Sequence, residues 1–291
     1  MSSRRSREAR AVVTGAGSGI GRAFARELAR RGSTILCADI NVERAAETVA
    51  LIEEQGRGRA EAIFCDVANV DDMRALAARA REFLGGPTSL MINNAGVGIG
   101  GPPVGEIGID DWEWALGINL RGMVYGSELF LPQLRESGHG GLINVASAAA
   151  FSAAPGMAAY NVGKAGVLAL SETIAAELSG SDLAVTVLCP TFVETNVAAD
   201  GRITGEAMRI AEFLMRHTGR SADAVARDTL DAHDRGRLYV IPQIDARAIW
   251  LAKRMFPRSY AVGAGILRRL LPGVGNTAGV DAQRLTTTTG A

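Results

Sequence analysis

The chain has 291 residues, 47% of them hydrophobic and 21% charged, which is an ordinary globular composition and suits one large domain. Lysine plus arginine and aspartate plus glutamate both number 31, so no global charge favours nucleic acid or an anionic surface as a partner. No stretch approaches the ~18 uninterrupted apolar residues of a membrane span, and the basic N-terminus lacks the apolar core of a signal peptide. We therefore expect a cytoplasmic protein.

A glycine-rich turn joins the first predicted strand to the first predicted helix. Residues 11 to 21 are AVVTGAGSGIG, and the following RAFARELARRG has helical spacing. Glycines keep side chains away where the backbone bends and where a pyrophosphate approaches the amides of a helix N-terminus. The candidate dinucleotide-binding turn comprises Gly15, Ser18, Gly19, Ile20 and Gly21. The alternative is a plain turn, which glycines also serve.

The second strand, within STILCADIN, ends at Asp39, 20 positions after Gly19. A carboxylate at that strand tip can accept hydrogen bonds from an adenosine ribose, and it repels the additional phosphate of NADP. No basic residue stands at Ser18 or at the two positions after Asp39 to offset this repulsion, so NAD is the favoured cofactor. Alternatively, Asp39 only caps the helix that begins near Val42.

Two further strand ends carry candidate cofactor contacts. The run EAIFCDV ends at Asp66 and Val67, which can border an adenine ring. The run SLMINNAGVG leads into small residues that let a ribose lie against the backbone: Asn93, Asn94, Ala95 and Gly96. Asparagine and glycine also simply terminate strands, which is the alternative interpretation.

A long helical stretch, residues 110 to 137, carries Asn119 in its interior with Gly117 and Gly122 close by. Asparagine and glycine weaken a helix interior, and a disturbed helix can leave a carbonyl free to bind water. The preceding residues 97 to 108 are rich in glycine and proline, which predicts a loop beside the active site.

The stretch from Ser147 to Lys164 combines a strand end with a helix. The apolar run GLINVAS predicts a buried strand that delivers Ser147 at its carboxyl end. Tyr160 and Lys164 lie four residues apart in a helical run, so both project from one face. An ammonium favours phenolate over phenol, so we expect Lys164 to pull the Tyr160 pKa from ~10 toward working pH. Alone, such a pair is commonplace on solvated helices.

The sixth strand, DLAVTVLCP, ends at Pro190 and precedes residues 191 to 217, which form either a substrate lid or a surface helix. A helix and a seventh strand, RLYVIP, follow. This alternation predicts an α/β fold whose doubly wound parallel sheet is covered on both faces and binds ligands at the carboxyl ends of its strands. Cys37, Cys65 and Cys189 fall in apolar runs, which indicates buried free thiols and neither a disulfide nor a metal site.

In order, these residues resemble the short-chain dehydrogenase/reductase family over roughly positions 10 to 242. The matching positions are Thr14-Gly15-x-x-x-Gly19-x-Gly21, Asp39, Asp66-Val67, Asn93-Asn94-Ala95-Gly96, Asn119, Ser147 and Tyr160-x-x-x-Lys164. The resemblance implies a Rossmann-like fold of about seven strands and a nicotinamide cofactor.

The resemblance also implies a catalytic tetrad. Tyr160 would be the acid/base, Ser147 would orient the substrate oxygen, Lys164 would bind the nicotinamide ribose and lower the tyrosine pKa, and Asn119 would hold a water of the proton relay. The family has Pro-Gly where this chain has Pro190 followed by threonine, a departure that concerns the local backbone path and not the chemistry. Thr195 matches the threonine that the family places near the nicotinamide amide.

The implied function is an oxidoreductase that transfers a hydride between NAD and an alcohol or ketone. The loops around the site supply small or apolar side chains and no obvious arginine clamp, which favours an apolar substrate such as a steroid-, retinoid- or terpenoid-like molecule. One alternative is an NADPH-dependent ketoreductase of lipid or polyketide synthesis, which Asp39 opposes. Another is a non-catalytic nucleotide-binding regulator, which the complete tetrad opposes. By family analogy we expect a homodimer or homotetramer.

Residues 243 to 291 form a basic extension beyond a dehydrogenase domain of residues 1 to 242. Its apolar residues at helical spacing are Ile244, Ala248, Leu251 and Met255, and its basic residues include Arg247, Lys253, Arg254, Arg258, Arg268 and Arg269. A basic amphipathic helix can lie on a membrane, so peripheral contact through residues 243 to 271 is one expectation. The other is packing against its own domain or a partner subunit.

Overall fold

Strands and helices alternate along the chain, as the sequence predicts. The computed structural model describes residues 4 to 193, 201 to 203 and 220 to 270, with the backbone alone for 267 to 270. The strands are β1 (Arg10–Thr14), β2 (Thr34–Asp39), β3 (Arg59–Phe64), β4 (Leu90–Asn93), β5 (Ile99–Gly100), β6 (Gly140–Val145), β7 (Leu183–Leu188), β8 (Arg202–Ile203) and β9 (Tyr239–Val240).

The helices follow the predicted amphipathic stretches. They are α1 (Gly19–Arg30), α2 (Val42–Glu54), α3 (Val70–Phe83), α4 (Ile109–Leu116), a π-helical turn (Gly117–Arg121), α5 (Gly122–Ser137), α6 (Ala149–Ser152), α7 (Ala158–Glu177), α8 (Ala222–Asp234), α9 (Ile244–Met255) and α10 (Pro257–Leu270).

Seven strands form one parallel sheet in the order β3-β2-β1-β4-β6-β7-β9. The chain runs outward from β1 through β2 and β3 and then returns to β4 on the other side of β1. The carboxyl ends of β1 and β4 therefore border the point where the strand order reverses, which is where such sheets bind ligands. The predicted doubly wound, Rossmann-like α/β fold of about seven strands is confirmed.

Helices cover both faces of the sheet, so the strands are apolar on both sides. In β1, Ala11 and Val13 pack into a core under α1, α2 and α8, whereas Val12 packs into the opposite core under α3, α5 and α7. Phe24 and Phe130 are fully buried, one in each core. This two-sided burial fixes the strand ends, and hence the site.

The three cysteines are buried free thiols, as predicted. Burial raises the pKa of Cys37, Cys65 and Cys189 to about 12, so each is a neutral thiol at ordinary pH. They behave as small apolar side chains of the strands.

A short second sheet lies beside the main one. β5 pairs with β8 in parallel, joining the Gly- and Pro-rich residues 97 to 108 to the connection after β7. The prediction of a plain loop was therefore wrong at Ile99 and Gly100. Most of residues 191 to 217 lie outside the described part of the chain, so the choice between a lid and a surface helix stays open.

The described part of the C-terminal extension, residues 243 to 270, is helical, as predicted, and its first helix packs on the domain. Ala246 of α9 is fully buried in a core that also contains Phe151, with Ile249 and Trp250 partly buried beside them. Tyr260 of α10 donates a hydrogen bond to the carbonyl of Ser152 (2.8 Å). The boundary at residues 242 and 243 stays a prediction. Within the described residues, no helix has the length and apolar character needed to cross a membrane.

Candidate active site

The glycine turn between β1 and α1 is built from backbone in close contact. Gly15 has a φ of +64°, and a Cβ on Gly21 would lie 2.0 Å from the Gly15 carbonyl oxygen. Only glycine fits at both positions. The turn thus presents bare backbone at the carboxyl end of β1.

Asn94 holds this turn from the neighbouring strand. Its side-chain amide donates to the carbonyls of Thr14 (2.9 Å) and Gly15 (3.2 Å), and its backbone amide donates to the Thr14 hydroxyl. The sequence places Asn94 among the residues expected to border a ribose and does not indicate that it holds the turn. No local pattern could show this contact, because a long-range hydrogen bond leaves no trace in sequence spacing.

Asp39 lies at the tip of β2 beside the glycine turn. One carboxylate oxygen accepts from the amide of Gly17 (2.8 Å) and the other from the amide of Asn41 (2.9 Å). The alternative that Asp39 only caps α2 is wrong, because Asn41 is the cap and accepts from the amide of Arg44. The carboxylate is thus fixed where β2 and the turn meet.

The other strand ends differ in what they offer a ligand. Asp66 accepts from the amide of Ala68 (2.9 Å), and the Val67 side chain is buried against Gly122. The Asn93 side chain points inward, donating to Asn144 (2.9 Å), so a nucleotide contact from Asn93 must come from its backbone. The predicted cofactor contacts of these residues stay predictions.

Asn119 sits in the π-helical turn between α4 and α5. The sequence predicts a weak point in this helix, and the π-turn is located there. The buried side chain accepts from the amide of Val97 (3.0 Å) and donates to its carbonyl (2.9 Å). A Cβ on Gly96 would lie 2.9 Å from the Asn119 side-chain oxygen, so the strand-end turn and the π-turn are in contact. π-turns displace backbone groups from the regular helix ladder and are frequent at functional sites.

Two glycines of α7 allow the π-turn to come close. A Cβ on Gly163 would lie 3.2 Å from the Asn119 Cβ, and one on Gly166 would lie 2.7 Å from a Leu120 methyl carbon. Sequence reasoning missed both glycines. The sign was there, since glycine inside a helix costs up to ~1 kcal/mol and usually has a packing reason.

Ser147, Tyr160 and Lys164 meet at the carboxyl end of β6. The Ser147 hydroxyl donates to the carbonyl of Pro190 (3.4 Å) and accepts from the amide of Ala149 (3.2 Å), and its interaction with the Tyr160 phenol acts to lower the pKa of that phenol. The Lys164 ammonium donates to the carbonyl of Val145 (3.0 Å) and lies 5.8 Å from the centre of the Tyr160 ring. Lys164 is 3% exposed. Tyr160 and Lys164 project from the same face of α7, as the sequence predicts.

The predicted lowering of the Tyr160 pKa is wrong for the protein without a bound cofactor. Burial raises that pKa, and the hydrogen bond from Ser147 offsets the rise only in part. Burial also lowers the pKa of Lys164 to about 8. The Lys164 ammonium donates to a backbone carbonyl and not to the phenol. Burial of the Tyr160 phenol therefore has a larger effect on its pKa than the nearby ammonium has.

The segment after β7 takes a defined path despite the threonine in place of glycine. The Pro190 carbonyl accepts from the amide of Ala148 (2.8 Å). The amide of Thr191 donates to the side chain of Gln243 (3.2 Å), which donates in turn to the carbonyl of Phe192 (3.0 Å). Gln243, the first residue of the extension, was missed. Thr195 lies outside the described residues.

A cavity of about 200 Å³ borders the apolar cluster in which Tyr160 packs, because Ile99, Ile107 and Ala159 belong to both. Its lining is mostly apolar and includes Ile99, Ile107, Met157, Ala159 and Ile203. Arg202 also lines it. Its guanidinium is half exposed, pairs with Asp111 and stacks on the Trp114 ring (4.1 Å), so its charge is already matched by a carboxylate.

The family model described as short chain dehydrogenase matches residues 9 to 204. The chain therefore belongs to the short-chain dehydrogenase/reductase family. SadH of Mycobacterium tuberculosis is 30% identical over 267 residues, covering 89% of this chain and 95% of SadH. A 3beta-hydroxysteroid dehydrogenase of Mediterraneibacter gnavus is 35% identical over 184 residues, covering 63% and 66% of the two chains. EphD of M. tuberculosis is 36% identical over 64% of this chain, which spans only 31% of EphD.

Solved dehydrogenases of the family include complexes with either nicotinamide dinucleotide. A short-chain dehydrogenase/reductase from Burkholderia phymatum in complex with NAD has a TM-score of 0.78 at 32% identity, covering 84% of this chain and 92% of that one. A short-chain dehydrogenase from Sphingobium yanoikuyae in complex with NADPH has a TM-score of 0.72 at 26% identity, covering 87% and 94%.

The dehydrogenase site fits such a dinucleotide. α1 begins at Ser18 without a side-chain cap and without an acidic residue in its first turn, whereas α2 and α3 are capped by Asn41 and Asn69 and carry acidic first turns. Uncapped first-turn amides are donors for the oxygens of an anion, and the helix dipole favours negative charge there. The absence of side chains at Gly15 and Gly21 lets the turn close against Asn94 and keeps it compact beside these amides.

Proposed function

We propose that this protein oxidises an alcohol to a ketone or aldehyde with NAD, and reduces the carbonyl in the reverse direction. The observation that carries the proposal is the meeting of Ser147, Tyr160 and buried Lys164 at the strand edge that also carries the glycine turn. A nucleotide-binding regulator needs only the turn. It has no use for a buried ammonium beside a phenol.

The tetrad moves the proton. The substrate oxygen lies between the hydroxyls of Ser147 and Tyr160, and in oxidation the alcohol proton passes to Tyr160. Bound NAD would supply the hydride acceptor for the carbinol carbon. Lys164 would stabilise the phenolate and hold the cofactor's ribose, and the π-turn of Asn119 would offer backbone to a relay water. Proton transfer by a positioned side chain contributes ~10²- to 10⁴-fold.

NAD is the proposed cofactor because of Asp39. Its carboxylate is fixed by the amides of Gly17 and Asn41 at the tip of β2, where it can accept from a ribose hydroxyl and would repel a 2′-phosphate. The alternative, an NADPH-dependent ketoreductase, has to overcome this charge.

An apolar alcohol or ketone is the proposed substrate. The cavity beside Tyr160 is lined mainly by aliphatic side chains, and its one arginine is already paired with Asp111. The similarity to a dehydrogenase named for hydroxysteroids agrees with this class. A cytoplasmic location and a homodimer or homotetramer belong to the same proposal, on family grounds.

The test follows NADH absorbance with a panel of secondary and primary alcohols, for wild type and Tyr160→Phe. The variant keeps the ring but has no transferable proton, so oxidation should fall by ~10²-fold or more while NAD binding persists. Tyr125→Phe on α5, whose ring packs in the core, is the matched control and should keep full activity. A Tyr160→Phe protein that turns over normally would refute the mechanism.

A further inference from the structure

The C-terminal extension carries an apolar stripe that its own domain leaves uncovered. On α9, Ile244, Leu251 and Met255 are 82%, 52% and 68% exposed. They are spaced by seven and four residues, about two helical turns and one, so they share a face. That face is opposite the one where Ala246 is buried. The helix packs on its own domain through the Ala246 face and not through the predicted stripe. Packing of the stripe against a partner subunit stays a prediction.

The stripe continues past the end of α9. Phe256, between the two helices, is 59% exposed, and Val262 and Ile266, one turn apart on α10, are 63% and 50% exposed. Large apolar side chains exposed in one run of chain mark a surface that meets a partner or a membrane.

The same segment is basic. Residues 244 to 266 contain four basic residues, Arg247, Lys253, Arg254 and Arg258, against one acidic residue, Asp245. The whole chain is neutral, so this charge is a local feature. Arg254 stacks on the Trp250 ring (4.2 Å), which anchors one of these charges at the edge of the helix. Lys253 lies seven residues from Ala246 and so on the buried face, whereas Arg254 and Arg258 are exposed. Exposed cations beside an apolar face complement anionic headgroups above an acyl layer.

The extension contacts the segment that leads from the catalytic strand to the cavity. Tyr260 of α10 is hydrogen-bonded to Ser152 of α6, the short helix that begins two residues after Ser147. Four and five residues beyond Ser152, Gly156 and Met157 line the cavity beside Tyr160. The extension and the cavity are therefore joined through one short segment.

We propose that the exposed face of α9 and α10 binds the surface of an anionic lipid membrane. The helices lie in the interface plane, with the stripe among the acyl chains and the basic side chains at the headgroups. This position brings the cavity close to alcohols or ketones dissolved in the bilayer. That last step rests on the proposed function, whereas membrane binding itself does not.

A second copy of the chain fits this face less well. A twofold interface brings the same patch of two subunits together, so the basic residues of one copy would meet those of the other. Like charges facing each other across an interface oppose association. Anionic lipid has no such conflict.

The experiment is co-sedimentation of the full-length protein with vesicles of phosphatidylcholine, with and without phosphatidylglycerol. Wild type should pellet with the anionic vesicles and be released by salt, because charge attraction is screened. Leu251→Gln/Met255→Gln and Arg254→Gln/Arg258→Gln should each bind at least about tenfold more weakly. The controls are Phe64→Gln, an equally exposed apolar residue on β3, and Arg57→Gln/Arg135→Gln, which removes the same charge elsewhere.

The outcomes distinguish membrane binding from the alternatives. The proposal is supported if the stripe and charge variants lose vesicle binding, the two control variants keep it, and the melting temperatures of all variants match wild type. Wild type that stays in the supernatant overturns it, as does equal pelleting of the stripe variant. A stripe variant that sediments as a smaller species in analytical ultracentrifugation would instead assign the face to a subunit interface. Vesicle binding is read without turnover, so its failure leaves the redox assignment standing, and an inactive enzyme leaves the vesicle result standing.

Discussion

The two halves of the candidate site are built from different materials. The nucleotide half is main chain: the glycine turn, the uncapped start of α1, and the amides that Asp39 holds. The catalytic half is side chain: Ser147, Tyr160 and Lys164, buried or nearly so, over the core between β6 and α7. One half depends on the absence of side chains and the other on their burial.

This difference has energetic consequences. The glycine turn requires particular backbone dihedral angles and no side chains. We therefore expect it to be disrupted by substitutions that add side-chain volume. A buried ammonium must give up its hydration, and one backbone carbonyl returns only part of that. We expect the catalytic half to respond to charge and pH, and the nucleotide half to respond to volume.

The largest expected effect comes from removing the buried charge. Lys164→Met keeps the length of the side chain but loses the ammonium beside Tyr160, so kcat should fall by ~10²-fold or more. The fold should survive, because a neutral side chain of similar volume avoids the cost of burying a cation. Steady-state kinetics and a thermal melt measure both effects.

The control for that substitution is Lys253→Met, which removes a surface charge from α9. It should retain wild-type kcat on a soluble alcohol. A Lys164→Met enzyme with wild-type kcat would show that the catalytic half does not depend on the buried charge.

The next effect tests the steric half. In Gly21→Ala the new methyl carbon would lie 2.0 Å from the Gly15 carbonyl and 2.5 Å from the Asn94 amide, so the turn must open. Overpacking of this kind costs about 1–3 kcal/mol, which predicts about tenfold to hundredfold weaker NAD binding. Calorimetric titration measures the affinity.

Gly263→Ala is the matched glycine substitution. Its added Cβ meets no atom within 4 Å, and it lies inside α10, so NAD affinity should not change and helix stability should rise slightly. If Gly21→Ala bound NAD as well as Gly263→Ala does, the turn would not be the phosphate site.

The sequence predicts these two halves unequally well, for a physical reason. Glycine spacing reports a local constraint, so the turn, the strand ends and Asp39 are found where expected. The direction of the Tyr160 pKa depends on burial by distant segments, and the sequence predicts it wrongly. Asn94 and Gln243 act across long sequence separations, and no local pattern marks either of them.

A smaller effect separates charge from hydrogen bonding in the nucleotide half. Asp39→Asn keeps an oxygen that can accept from Gly17 but removes the negative charge. The preference for NAD over NADP should fall about tenfold or more. Two like charges about 4 Å apart repel each other by about 1 kcal/mol in water and about 4 kcal/mol near a protein surface. The ratio of kcat/KM values for the two cofactors measures it. An unchanged ratio would mean that shape, and not charge, selects the cofactor.

The smallest effect is a pH dependence that the catalytic half alone should produce. Burial lowers the pKa of Lys164 to about 8 and raises that of Tyr160, so the lysine loses its proton first as the pH rises. Carbonyl reduction needs the Tyr160 proton and the Lys164 charge, and kcat/KM for NADH reports the free enzyme. The kcat/KM value should be constant below about pH 8 and fall about tenfold per pH unit above it, because a single deprotonation removes the active form.

The Lys164→Arg variant tests which group titrates. Its cation stays charged, so any residual activity should not fall above about pH 8. A wild-type profile that stays flat well above pH 8, or a limb that persists in the arginine variant, would place the titrating group elsewhere and remove the contrast between the two halves.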